Sequence, residues 1–227
     1  MSKAVLRILA VMAGLVLLSS ATGGLRADEK PAPPASQATK PESTEPRDEN
    51  VLAEFEVAKD GDALILPVTI QGNSHSFIVD TGTTRNVFSK KLRGTLGSFR
   101  EKVPVRTFGS STNVEMYESP ECYVGSFPVH SPNTVMCVDL QAMAEAIGIE
   151  IHGILGLDFL KQHRIEVDFD SGKLRFLKSV SPRYGTAVSM LHRNVSQPFV
   201  LAKSHPAPVI AMNVDTGYNG SAVIEKR

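Results

Sequence analysis

The sequence predicts a mainly β fold: a lobe of short strands with one or two short helices, followed by an incomplete second repeat. Three observations carry this prediction. Beyond Asn50 the chain runs in short β-rich segments separated by Gly, Pro, Asn and Ser. Only Leu140 to Ile147 reads clearly as a helix, so the strands are too short and too closely spaced for a parallel α/β sheet. Finally, the tripeptide Asp-Thr-Gly occurs at 80–82 and again at 215–217, an offset of 135 residues, about the length of one small lobe.

Composition narrows the function classes. The 227 residues are 42% hydrophobic and 21% charged, enough for a real core. Basic and acidic residues balance at 24 each, Trp is absent and aromatics are 6%, so no basic field or stacking platform points to a nucleic-acid partner. Two cysteines are too few for a disulfide scaffold or a four-thiolate zinc site.

Residues 1–27 have the anatomy of a cleavable export signal: Lys3 and Arg7, the apolar run Ile8 to Leu18, then small residues and Leu25-Arg26-Ala27. The apolar part is short for a spanning helix, so the expectation is an exported protein, periplasmic or extracellular, with no membrane contact after cleavage. Removal of Lys3, Arg7 and Arg26 and no acid leaves 21 basic against 24 acidic residues. Residues 28–50, with Pro31, Pro33, Pro34, Pro41 and Pro46 among charges and small polar side chains, read as a disordered Pro-rich linker.

Residues 51–178 form the first lobe. Leu64 to Ile70, a turn at Gln71-Gly72-Asn73-Ser74 and Ser76 to Val79 make a hairpin that leads into a buried strand. Further strands are expected at Val103 to Phe108, Val114 to Tyr117, Cys122 to Val124, Thr134 to Val138, Ile165 to Phe169 and Leu174 to Leu177. Asp139 caps the Leu140 to Ile147 helix and Gly148 stops it. A second short helix starts near Asp158, which reads as its cap, and ends before Arg164. Asp170-Ser171-Gly172 closes a hairpin between alternating arms.

Chemistry is concentrated at Phe77-Ile78-Val79-Asp80-Thr81-Gly82-Thr83-Thr84. An apolar strand there delivers a carboxylate into a Gly-containing turn, where burial and backbone donors tune its pKa. Alone, the tripeptide also fits an ordinary turn. About seventy residues later Ile154-Leu155-Gly156 places two apolar residues before a Gly and a short helix.

The order of strand, Asp-Thr-Gly, apolar-apolar-Gly and closing hairpin, from about Ala53 to Leu177, resembles the retropepsin-like aspartic proteases, particularly the bacterial single-lobe kind. The resemblance implies an acid-protease barrel lobe in which Ile154, Leu155 and Gly156 cross behind the Asp turn as its floor. It also implies a flap, for which Val105 to Tyr117 fits, with Phe108 and Gly109 at the tip, although an ordinary surface hairpin reads the same way. It implies aspartic-type endopeptidase activity: hydrolysis of a peptide or protein substrate by a water that paired aspartates activate, with no cofactor and no metal.

Such chemistry needs two carboxylates close enough to share a proton. The resemblance makes Asp80 and Asp215 catalytic. Thr81, Gly82, Thr83, Thr216 and Gly217 would support the two turns, the threonines at 81 and 216 by bonds across the interface and Thr83 by a bond to the outer carboxylate oxygen. On the 135-residue offset Phe199-Val200-Leu201 falls on Leu64-Ile65-Leu66 and Ala222-Val223-Ile224 on Val87-Phe88-Ser89. Within residues 179–227 this second copy holds no flap and no Leu-Gly segment, and Tyr218 stands where the first copy has Thr83. The expectation is therefore a truncated repeat, with a homodimer or a partner lobe completing the site. A non-catalytic peptide-binding module and an inactive fragment of a bilobal protease remain as alternatives.

Other polar residues suggest no rival chemistry. His75, His130, His152, His163, His192 and His205 lack the spacing of a helix-borne metal site, and there is no Gly-x-Ser-x-Gly elbow. Cys122 and Cys137 leave two readings open, a bridge between neighbouring strands or two buried thiols.

Overall fold

The computed structural model describes residues 8–10, 48–59, 63–107, 110–131, 134–180, 188–190, 197–203 and 209–220, with the side chains of 8–10, 106–111 and 218–220 outside the description. Most of the expected signal and linker lies outside these residues, as do the flap tip Phe108 and Gly109 and the stretch Ala222-Val223-Ile224. Ile8–Ala10 pairs antiparallel with Tyr218–Gly220.

The lobe is mainly β, as its sequence texture predicts, but its sheets are open in strand order and no barrel closes. The largest has nine strands, in the order Phe99–Thr107, Ser110–Tyr117, Val135–Val138, Val87–Ser89, Gly153–Leu155, Asn73–Val79, Ile65–Ile70, Cys122–Val124, Phe127–Pro128. A second sheet pairs Lys173–Leu177 with Arg164–Asp168 on one side and Val51–Glu56 on the other.

Alternation builds the core. Leu66, Val68 and Ile70 are buried while Pro67 or its neighbours on the other face stay more open, the period-two pattern of a sheet with one covered face. These side chains join Phe77, Phe88, Phe159, Leu174 and Phe176 in one cluster, where Phe77 and Phe88 meet edge to face at 5.2 Å. Each fully buried side chain of this size contributes about 1.5–3 kcal/mol. On the outer face of the smaller sheet Arg175 bonds Glu54 and Glu166, and Lys173 pairs with Glu54 and Glu56.

A second cluster of Ile78, Val87, Leu140, Ile151 and Ile154 lies against the helix Gln141–Ile147. Gly148 ends the helix at φ 75°, as the sequence predicts, but the start differs: Leu140 is the N-cap and has no side-chain cap, and Asp139, one residue before it, accepts at Oδ1 from the Gln141 amide at 3.0 Å. The other helix, Leu157–Leu160, differs in its start. Gly156 is its cap, and Asp158 sits inside the first turn, where a carboxylate favours the helix N-terminus without capping it.

The bridge between Cys122 and Cys137 does not form; both thiols are free and buried. Their strands are not neighbours, since Val87–Ser89, Gly153–Leu155, Asn73–Val79 and Ile65–Ile70 lie between them. Burial alone pushes the Cys122 thiol up to about 12, so it is held as a neutral core group.

Candidate active site

The Asp80 turn is fixed by the strand that feeds it and by the floor segment beside it. Gly153–Leu155 inserts between Asn73–Val79, to which it runs parallel, and Val87–Ser89, to which it runs antiparallel. The two arms that flank the turn are thus held apart by the very strand the sequence marks as the floor. The Asp80 amide donates to Leu155 O at 3.0 Å, and the Leu157 amide donates to Thr83 O at 2.9 Å. Gly156 has no room for a side chain, because a Cβ there would lie 2.7 Å from Arg85 C and 2.8 Å from Thr83 O.

Sequence reasoning missed the residue that ties these pieces together. Asn86 is fully buried; its Oδ1 accepts from the Gly156 amide at 2.9 Å and its Nδ2 donates to Ser131 Oγ at 2.9 Å. Its own carbonyl accepts from the Met136 amide at 3.1 Å. A polar residue directly before the apolar Val87-Phe88 was the available signal.

The second Asp-Thr-Gly comes to the first within one chain. The hairpin Phe199–Lys203 and Val209–Asn213 delivers Val214 and Asp215. Its register corrects the expected alignment: Phe199 pairs with Asn213, whereas Ile65 pairs with Ile78, so Phe199 corresponds to Ile65 rather than Leu64. The connection in the second hairpin is one residue longer, which a constant offset cannot show.

Four hydrogen bonds join the two turns in a near two-fold pattern. The Thr81 amide donates to Thr216 Oγ1 at 3.1 Å and the Thr216 amide to Thr81 Oγ1 at 3.0 Å. In turn, Thr81 Oγ1 donates to Val214 O at 2.7 Å and Thr216 Oγ1 to Val79 O at 2.9 Å. Gln197, also unmarked in the sequence reading, donates from Nε2 to Gly82 O at 2.7 Å and fastens the entry to the second hairpin onto the first turn.

Each glycine faces the opposite carboxylate. A Cβ on Gly82 would stand 2.5 Å from Asp215 Cγ, and one on Gly217 would stand 2.6 Å from Asp80 Oδ1. Gly82 and Gly217 thus do more than support their turns: what the site uses is the missing side chain, which lets the two carboxylates approach.

The carboxylates are held differently. Asp80, 8% exposed, accepts from the Gly82 amide at Oδ1, 2.7 Å, and from the Thr83 hydroxyl at Oδ2, 2.6 Å. Asp215 accepts from the Gly217 amide at 2.9 Å, its one protein donor among the described residues. Burial, with the Asp80 charge beside it, pushes the Asp215 carboxyl up to about 7. The Tyr218 side chain lies outside the description.

With this geometry in place, comparison with known proteins adds one match. Residues 66–162 match the family of gag-polyprotein putative aspartyl proteases, a stretch that contains the Asp80 turn, the Asn86 network and the floor segment. No curated protein matches the chain.

Proposed function

From the retropepsin-like aspartyl protease lobe that residues 66–162 mark, we propose that this chain is an aspartic-type endopeptidase whose catalytic pair is Asp80 and Asp215. The observation that carries the reading is the reciprocal Thr81 and Thr216 bonding, which sets the two carboxylates face to face across Gly82 and Gly217. A homodimer contributing Asp80 twice is not needed for this pairing.

The unequal donors suggest unequal roles. Asp80 has a donor on each of its two oxygens and Asp215 a donor on one, while a carboxyl pushed up to about 7 keeps Asp215 protonated in acid. A water between them gives a proton to Asp80 as its oxygen bonds the peptide carbon, and Asp215 protonates the carbonyl oxygen. On collapse the C–N bond breaks, the nitrogen takes the proton from Asp80, and Asp215 recovers a proton from the hydroxyl. Thr81 and Thr216 hold the geometry; Thr83 orients Asp80.

Export belongs to the same proposal. Lys3, Arg7 and the apolar run to Leu18 support it, and cleavage after Ala27 would remove Ile8–Ala10, the strand beside Tyr218–Gly220. N-terminal sequencing of the protein recovered from outside the cytoplasm tests this.

The activity is tested by digesting a mixed peptide library across acidic to neutral pH with the wild type and with Asp80→Asn. Cleavage that the variant lacks supports the reading; a folded wild type that cuts nothing at any pH contradicts it.

A further inference from the structure

His163 carries an imidazole that the proposed chemistry does not use. Three rings surround it: Phe159 at 4.6 Å between centroids, Phe127 at 5.2 Å and Phe176 at 5.3 Å. They come from three parts of the lobe. Phe127 lies on an edge strand of the nine-stranded sheet, Phe159 on the helix that follows the floor, and Phe176 in the three-stranded sheet. The imidazole therefore fills the joint where both sheets meet the floor helix, beside the stacked pair of Phe127 and Phe176.

Its polarity costs the lobe stability. Nε2 is buried and finds no hydrogen-bond partner among the described residues, whereas an apolar side chain would fill the same space with no polar atom unpaired. The charged groups of the surrounding elements are engaged elsewhere. On the smaller sheet Glu54, Glu56, Glu166 and Asp168 pair with Lys173 or Arg175, which alternate with Phe176 and so lie on the opposite face. On the floor helix Asp158 interacts with Lys161 and Arg85. Arg164, next along the chain, donates to Lys178 O, and His130 turns its carbonyl to Gln162 Nε2. Burial alone accordingly lowers the His163 pKa below the ordinary 6.5. A proton would make both ring nitrogens donors and bring a charge into an aromatic cage that holds no carboxylate.

We infer that His163 is an acid-sensitive latch: neutral, it holds the two sheets and the floor helix together, and on taking up a proton it leaves the ring cluster and the joint opens. The sign follows from linkage. Below 6.5 the unfolded chain binds a proton that the folded chain refuses, so the latch contributes fully above that value and less as pH falls. Asp215 acts with the opposite sign, because its contribution is lost as pH rises toward 7. The floor helix also carries the Leu157 amide that bonds Thr83 O in the Asp80 turn, so an open latch loosens that turn. The inference concerns folding and stands whether or not the chain cleaves peptides.

The test is urea denaturation of the full chain as wild type, His163→Phe and His163→Leu at pH 7.5 and pH 5.5, with the His163 ring of the wild type followed by nitrogen-15 NMR. His75, whose pKa burial also lowers, is common to all three chains and cancels. The folding constant of the wild type relative to either variant should fall by about tenfold between the two pH values. The ring should stay neutral below pH 6.5 while the chain is folded, and at pH 5.5 amide exchange at Lys173–Leu177 should be faster in the wild type than in His163→Phe. A relative folding constant that ignores pH in a folded variant, or equal exchange, overturns the inference. So does a ring that titrates at 6.5 or above because the surrounding phenylalanines favour its cation. If neither variant folds, the ring titration decides alone.

Discussion

Thr81 and Thr216 each accept the other's backbone amide proton on their hydroxyl oxygen, at 3.1 and 3.0 Å, and each passes its own hydroxyl proton to a carbonyl of the opposite strand. Residues 135 positions apart are thereby locked in register, and the approach of the two carboxylates depends on a contact that neither turn makes alone.

Thr216→Val removes two of these bonds while keeping the side-chain shape. At about 1 kcal/mol net per bond the docking of 209–217 weakens by about 2 kcal/mol. Amide hydrogen exchange at 209–217 should accelerate by about one to two orders of magnitude, with exchange in the Ile65–Ile70 strand unchanged.

Gly82→Ala places a methyl group against Asp215, 2.5 Å from Cγ before any movement. The carboxylates must separate, which takes away the Asp80 charge that helps raise Asp215. The variant should lose at least about a hundredfold in kcat/KM, and the Asp215 carboxyl, followed by carbon-13 NMR, should titrate at lower pH than in the wild type.

Asp215 also makes stability depend on pH with a defined sign. Its folded pKa, about 7, lies above the ordinary 3.8, so between these values the folded state binds more protons than the unfolded state. Its contribution is fully present below about pH 4 and is lost as pH rises toward 7. Chemical denaturation of wild type and Asp215→Asn at pH 4 and pH 7 should show the variant gaining relative stability at the higher pH, and proteolytic activity should decline on the alkaline side of about 7.

Asn86→Ala leaves the Gly156 amide without its partner in a closed site and empties the space beside Ser131. The cost should be about 2–3 kcal/mol of unfolding free energy, measured by urea denaturation, with Asn86→Asp intermediate because it keeps the accepting oxygen.

What the sequence revealed and what it hid divide by distance along the chain. The Asp-Thr-Gly turns, the Gln141–Ile147 helix with its Gly148 end, and the hairpin closed by Asp170-Ser171-Gly172 were legible because their signals are local. Asn86 and Gln197 were not, since each acts on a backbone group 70 or 115 residues away and carries no local mark. The choice between a bridge and two buried thiols at Cys122 and Cys137 stayed open for the same reason: spacing along the chain does not reveal that four strands separate them. The one-residue shift of Phe199 against Ile65 arises in the connection between strands, where length varies without disturbing the paired register.

The central claim is that Asp80 and Asp215 of one chain form one site. Digestion of a peptide library by Asp80→Asn, by Asp215→Asn and by an equimolar mixture of the two tests it most directly. The account predicts that both variants and their mixture are inactive while the wild type cuts; an active Asp215→Asn, pairing Asp80 with Asp80 of a second copy, would contradict it.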